Sequence, residues 1–277
     1  MSEIMRLPKL SQLSDPAHHF LYQHDQDELH CSNPRAFSHR MYIARFKKVL
    51  EVVDKCKECF RRSLNEIKIL DIGCAQGNFS LTLSEQGFQV FAIDLQFPFL
   101  TYMKLKYDWG RLYYINANLE YLPFRKKFDI IILGEIIEHI AYPDNLLNNL
   151  KNLISSQGSL ILTTPNGDRL FKKMPTFLQI KDRLSLVSKQ FQPDADGHLY
   201  VFTRRELITE IKKAGLRVIQ HEYFGTPFIT GGMKLRFLIK YLPIRFTNFM
   251  EKMLTAFTAV GRLFAEEQMV IAKLSTE

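Results

Sequence analysis

Cysteine is scarce, with four in 277 residues (Cys31, Cys56, Cys59 and Cys74), and it forms no framework. Cys56 and Cys59 have the CxxC spacing of a zinc or redox pair, but no second pair follows. Both also lie inside a helical pattern, where neighbours at i and i+3 arise by chance. Reduced thiols in a cytosolic protein are the expectation. No uninterrupted apolar run approaches the roughly 20 residues that span a bilayer, and Met1–Asp15 has no apolar signal-peptide core. These absences predict a cytoplasmic chain, soluble or peripheral to a membrane. Internal repeats and low-complexity tracts are also missing, and no sharp shift of composition marks a second folded domain.

What is present is an ordinary globular balance, 46% hydrophobic and 24% charged residues. Lys and Arg number 37 against 29 Asp and Glu, a net charge of +8. That excess permits an anionic partner such as a phosphorylated substrate, RNA or a membrane surface, without requiring one.

Residues 1–33 are polar without a clear period and read as a loose arm. Met41, Phe46, Val49, Leu50 and Val53 then recur at three- and four-residue steps, which predicts an amphipathic helix. Residues 1–65 are thus an N-terminal arm and helix, and 66–277 the main domain. In that domain strands and helices alternate. Strands are expected at Ile67–Ile72, Gln89–Ile93, Leu112–Ile115, Phe128–Leu133, Ser159–Thr164, Leu216–Phe224 and Met269–Leu274. Helices are expected at Phe79–Gln86, Phe97–Lys106, Asp144–Leu153 and from Thr203 to Lys213, where Thr203 and Glu206 have capping-box spacing. The almost wholly apolar Phe128–Leu133 belongs in the buried centre of the sheet. This rhythm predicts an α/β fold, a mostly parallel sheet with helices on both faces.

The strongest local signal is Asp71-Ile-Gly73-Cys-Ala75-Gln-Gly77, between the first strand and its helix. Gly73 and Gly77 clear side chains from a turn that a ligand could approach, and the helix start offers unpaired N–H groups. Roughly twenty residues on, Asp94 ends the second strand, where a carboxylate can hold both hydroxyls of a ribose. The spacing departs from the dinucleotide G-x-G-x-x-G. An acid at Asp71 suits a cationic ligand better than a pyrophosphate.

These residues resemble motif I and the ribose-binding acid of the class I S-adenosylmethionine-dependent methyltransferases. Asn118-Leu119-Glu-Tyr-Leu-Pro-Phe124 is similar to the segment beside the adenine, with Asn118 where that family commonly has Asp. Gly134-Glu135-Ile-Ile-Glu138-His139 and the stretch from His198 to Leu207 resemble the loop after the fourth strand and the helix beyond the fifth. The resemblance implies a Rossmann-like seven-stranded sheet. It further implies S-adenosylmethionine held by Asp71, Gly73, Ala75, Gly77, Asp94, Leu95, Asn118, Leu119 and Glu135.

Glu135-x-x-Glu138-His139 with His198 is similar to two metal-using subgroups, the small-RNA 2′-O-methyltransferases and the O-methyltransferases of ubiquinone biosynthesis. That resemblance implies Glu135, Glu138, His139 and His198 as Mg²⁺ ligands, the ion lowering the pKa of an acceptor hydroxyl. The same motif occurs in relatives with no recognised metal, where the glutamate helps hold the helix start and the histidine acts as a base or lines the pocket; that resemblance implies His139, Glu138 and His198 as the catalytic residues. Both readings stand at this stage. Asp194 and Asp196 fall in the same acceptor-side loop.

Residues 225–265 form an insertion before the last strand, in which Leu235, Leu238, Phe246, Phe249, Met253 and Phe257 recur at helical steps. Lys234, Arg236, Lys240, Arg245, Lys252 and Arg262 are opposed there by Glu251 alone. Such a basic, apolar helix either covers a pocket as a lid or lies on an anionic membrane. The reading as a whole is an O-methyltransferase for a small or lipid-like acceptor. A metal-dependent RNA 2′-O-methyltransferase and a non-catalytic nucleotide-binding protein of the same fold are the alternatives. No RNA-binding module or aromatic-basic stacking motif supports a nucleic-acid partner.

Overall fold

The computed structural model describes residues 6–31, 36–170, 172, 174–190, 197–230, 235–239 and 241–275, without the side chains of 236, 237 and 244. The elements in chain order are α1 (Pro16–Leu29), α2 (Phe37–Lys57), β1 (Lys68–Ile72), α3 (Asn78–Glu85), β2 (Gln89–Asp94), α4 (Phe97–Lys106), β3 (Arg111–Asn116), β4 (Phe128–Gly134), α5 (Pro143–Lys151) and β5 (Ile154–Pro165). They continue with α6 (Leu184–Val187), α7 (Arg204–Lys213), β6 (Leu216–Phe224), α8 (Pro227–Thr230), α9 (Arg236–Ile239), α10 (Ile244–Ala256), α11 (Thr258–Phe264) and β7 (Glu267–Leu274). The seven strands form one sheet in the order β3-β2-β1-β4-β5-β7-β6. β1, β2 and β3 are parallel, whereas β7 runs antiparallel to both β5 and β6. The expected seven-stranded, mostly parallel α/β sheet is the one found. Contacts divide the chain into two compact units, residues 1–132 with 153–159, and residues 133–152 with 160–277.

In the first unit the register aligns Ile72 with Ile93, and Asp94 with Asn116. The carboxyl ends of the three strands are therefore level, which is where ligands of such sheets bind. Behind them the turn cluster Cys74, Leu81, Ala92, Leu100 and Met103 packs α3 and α4 on β2. All of β4 but its last residue is buried, as its unbroken apolar run requires.

The polar N-terminal stretch differs from the loose arm that was expected: Pro16–Leu29 is a helix. Asp15 caps it, accepting the N–H of Ala17 at 2.8 Å, and Pro16 takes the first helical position. Its buried residues are His18, Leu21, Asp25 and Leu29. They recur at helical steps, but two of the four are polar, so hydrophobic periodicity does not reveal the face. Leu21 joins Leu13 and Tyr102 of α4 in a small apolar cluster. The fifth strand also starts earlier than expected, at Ile154 rather than Ser159.

In the second unit α7 has the expected capping box. The Thr203 hydroxyl accepts the N–H of Glu206 at 3.2 Å, and the Glu206 carboxylate accepts the N–H of Thr203 at 2.7 Å. The helix closes at Gly215, whose φ of 76° is left-handed. Replacing Thr203 by Ala should cost about 1 kcal/mol of unfolding free energy, the usual value of an N-cap. Urea denaturation would measure it, and a loss below about 0.3 kcal/mol would show that the cap does not hold this helix.

Candidate active site

The Gly-rich turn is built by the chain's own hydrogen bonds. The N–H groups of Gly73 and Cys74 both donate to the carbonyl of Ile93, at 2.9 and 3.1 Å, and Gly77 N–H donates to Cys74 C=O at 2.8 Å. Three of its residues have left-handed backbone: Gly73 at φ 66°, Ala75 at 45° and Gly77 at 77°. A Cβ on Gly77 would stand 2.2 Å from Sδ of Met103, so packing as well as backbone excludes a larger residue there. Asp94 fastens the turn from the next strand. One carboxylate oxygen accepts Ala75 N–H at 2.9 Å and the other accepts Gln96 N–H at 2.9 Å. Each oxygen keeps a lone pair for a ligand hydroxyl.

Asp71 is buried at the end of β1, and Ser80 donates a 2.5 Å hydrogen bond to it. Burial pushes its carboxyl up to about 6, the Ser80 bond opposes this, and the nearby Asp94 charge adds to it. Burial raises Asp94 as well, against its backbone hydrogen bonds. Two carboxylates strained toward neutrality on one turn favour a ligand with positive charge.

Asn118 forms a turn of its own: its side-chain oxygen accepts Glu120 N–H at 2.9 Å, and its backbone carbonyl accepts Tyr121 N–H at 3.0 Å. Leu119 is buried and Leu95 is exposed. Asn116, which sequence reasoning passed over, donates to the carbonyls of Asp94 and Leu95 at 3.0 and 2.8 Å and so holds the segment that follows Asp94.

The second unit carries the carboxylate–histidine group. Glu138, His139 and His198 each offer a ligand atom, and these lie within 4.8 Å of one another; Glu135 is not among them. Glu135 has left-handed backbone, φ 55°, and its N–H donates to Thr163 C=O at 3.1 Å. Glu138 is fully buried on a short 3-10 turn, Ile137–His139. One of its oxygens accepts the Thr164 hydroxyl at 2.9 Å, and the other lies 3.8 Å from Nε2 of His198. The two imidazoles meet edge to face at 4.9 Å. Backbone bonds place His198: Leu199 N–H donates to Glu138 C=O at 3.0 Å, and the buried Tyr200 hydroxyl lies 2.9 and 2.6 Å from the carbonyls of Ile137 and Ile140. Thr164 ends the expected fifth strand and Tyr200 lies in the family-like stretch from His198, but their contacts with this group show only in three dimensions. Asp194 and Asp196 lie outside the described residues.

One carboxylate and two imidazoles do not make the all-oxygen shell that Mg²⁺ prefers. They suit a softer divalent ion, or no ion. As a carboxylate beside an imidazole, Glu138 and His198 can hold and stabilise a histidine that takes up a proton.

In the insertion, the single acid turns inward. Glu251 on α10 accepts the N–H groups of Gly225 and Thr226, at 2.7 and 2.9 Å, and the Thr226 hydroxyl, tying α10 to the exit of β6. Leu238, Phe246, Phe249, Met253 and Phe257 are exposed. Lys234 and Lys240 lie outside the described residues, and no helix among those described is long and apolar enough to cross a membrane.

Comparison with known proteins agrees with this geometry. The methyltransferase-domain family matches residues 38–221. Over 117 residues the chain is 32% identical to the ubiquinone biosynthesis O-methyltransferase of Rickettsia akari (strain Hartford), covering 42% of this chain and 47% of that protein. It is 30% identical over 140 residues to the protein of the same name from Rickettsia canadensis (strain McKiel), covering 50% and 54%. The chain thus spans about half the length of the relatives it matches. Among solved structures, an S-adenosylmethionine-dependent methyltransferase from Clostridium acetobutylicum ATCC 824 superposes with a TM-score of 0.55 at 15% identity, over 93% of this chain and 99% of that one. One from Archaeoglobus fulgidus gives 0.53 at 17%, over 92% and 99%. At such identities these two likenesses show the fold.

The Asp71 carboxyl yields a pH prediction. A cation seated on the turn favours the ionised form, so binding releases a proton wherever the free carboxyl is protonated, below about pH 6. Affinity for a cationic nucleoside should be flat above that pH and should fall as pH drops through it, approaching tenfold per unit. Calorimetry at several pH values checks this, and Asp71→Asn should weaken the dependence near pH 6, leaving only what Asp94 contributes at lower pH. A pH-independent affinity in the unsubstituted chain would contradict it.

Proposed function

The chain belongs to the methyltransferase-domain family, and we propose that it moves the methyl group of S-adenosylmethionine to a hydroxyl oxygen of a small or amphipathic metabolite. The observation that carries the donor assignment is the turn from Gly73 to Gly77, closed by Asp94 through the N–H of Ala75. Asp94 keeps lone pairs for the ribose hydroxyls, and Asp71 supplies negative charge to a sulfonium compound. The relatives named for O-methyl transfer support oxygen as the acceptor atom.

In this reading a histidine of the Glu138–His139–His198 group takes the acceptor's proton. The oxygen lone pair forms the new bond to the methyl carbon as the carbon–sulfur bond breaks, and that electron pair neutralises the sulfonium. Glu138, held by Thr164, stabilises the imidazolium that results. Mg²⁺ has no part in this scheme.

The experiment is donor-dependent methylation with its binding step measured separately. Asp94→Ala should weaken S-adenosylhomocysteine at least tenfold, since hydrogen bonds to a charged group are worth about 1.5–3 kcal/mol. Activity should survive chelation and fall about a hundredfold or more in His139→Ala or His198→Ala, the contribution of a general base. Loss on chelation with recovery in Mg²⁺ would overturn the base mechanism, and unchanged affinity in a folded Asp94→Ala would overturn the donor assignment.

A second reading concerns 225–265, where the structure supports a membrane-facing surface over a lid. Phe246, Phe249 and Met253 follow one another at helical steps on α10, Phe257 caps its end, and the four are 44%, 56%, 43% and 60% exposed. A lid that closed on the fold would bury them. Arg245 and Lys252 on α10 are exposed and add positive charge beside them, whereas Arg262 on α11 is paired with Asp168 at 3.2 Å. Vesicles containing anionic lipid should sediment the protein at low salt and release it at high salt. Phe249→Ser with Phe257→Ser should abolish sedimentation, and indifference to lipid would leave the lid reading.

A further inference from the structure

Two successive residues of α1 hold the two residues on either side of Gly77. His24 Nδ1 lies 2.9 Å from Nε2 of Gln76, and Asp25 Oδ1 accepts a 2.9 Å hydrogen bond from Nδ2 of Asn78. Gln76 and Asn78 are themselves buried. Asn78 is the first residue of α3, so its side chain sits where the donor turn becomes a helix.

Asp25 and Asn78 meet a third group, Lys106 at the end of α4. Its ammonium donates to Asp25 Oδ2 at 2.6 Å and to Asn78 Oδ1 at 2.7 Å. The side chains of Lys106 and Asp25 are 0% exposed. Asn78 Nδ2 also donates to the hydroxyl of Tyr42 on α2, at 2.8 Å. Four helices thus converge on one amide side chain. A buried ion pair is weak as a source of stability, because desolvation offsets most of its attraction. An apolar pair would hold α1 against α4 as well. What an apolar pair could not do is grip Asn78 by both ends of its amide.

We propose that Asp25, Lys106 and Asn78 are positioning residues for the donor turn, and that α1 is its cover, docking more firmly when the donor is bound. The inference rests on the donor assignment made above. By linkage, whatever order the donor imposes on the turn must favour α1 docking, and α1 docking must favour the donor to the same degree. The exit of the demethylated product then involves release of α1, and helix release belongs to the slower, collective motions of a protein.

The test uses the full chain with S-adenosylhomocysteine as probe. Hydrogen exchange of the α1 amides should slow at least tenfold when the probe is bound. The double variant Asp25→Leu, Lys106→Met removes both buried charges together. It should raise the KM for S-adenosylmethionine at least tenfold and change kcat less than threefold, so that saturating donor restores the rate. If that variant does not fold, His24→Ala keeps the ion pair and should raise the same KM two- to fivefold with kcat unchanged. Exchange of α1 that ignores a probe shown by calorimetry to be bound, or a KM within twofold of the original in the folded variant, overturns the cover. Failure of the unsubstituted chain to bind the probe at all overturns the donor assignment, and the cover with it.

Discussion

Everything proposed for the first unit depends on one double constraint at the carbonyl of Ile93 and the carboxylate of Asp94. The carbonyl takes two successive N–H groups from the turn, and the carboxylate takes a third from Ala75. A chain that must deliver three N–H groups to the end of the neighbouring strand cannot stay right-handed. It passes through the left-handed region at Gly73, Ala75 and Gly77, and at Ala75 it does so despite a Cβ. In the proposed function the same carboxylate that shapes the turn also binds what rests on it.

Charge follows from this geometry. The turn needs Asp94 buried for its backbone bonds, and Asp71 is buried two residues before Gly73, so both carboxyls are lifted above their usual range. Left empty, the turn holds negative charge in a poor solvent. A cationic nucleoside relieves that, whereas a pyrophosphate would aggravate it. In the second unit one oxygen of the fully buried Glu138 accepts the Thr164 hydroxyl, and the other lies 3.8 Å from the His198 imidazole. In the proposed mechanism that arrangement readies a histidine to accept a proton.

Much of this was legible in the sequence. The strand and helix alternation, the buried fourth strand, the Thr203–Glu206 cap and the pairing of a Gly-rich turn with Asp94 are all local patterns, written in spacing. The helix α1 was not legible, because His18 and Asp25 occupy positions where an apolar residue would have shown the period. Its partners, Asn78 and Lys106, are 53 and 81 residues away in sequence. Nor does spacing show that Glu135, three residues before Glu138, stands apart from the group that Glu138 forms with His139 and His198. The left-handed backbone at Glu135 sets it off from the short 3-10 turn that carries Glu138 and His139.

The central claim is that the turn takes a cationic sulfonium nucleoside or its demethylated product, not a dinucleotide. Calorimetric titration of the full chain with S-adenosylhomocysteine, S-adenosylmethionine and NAD, each under the same conditions near pH 7.5, tests it directly. The account predicts saturable binding of the first two at one site per chain, and no displacement of either by NAD. Tight binding of NAD, or displacement of S-adenosylhomocysteine by it, would contradict the account.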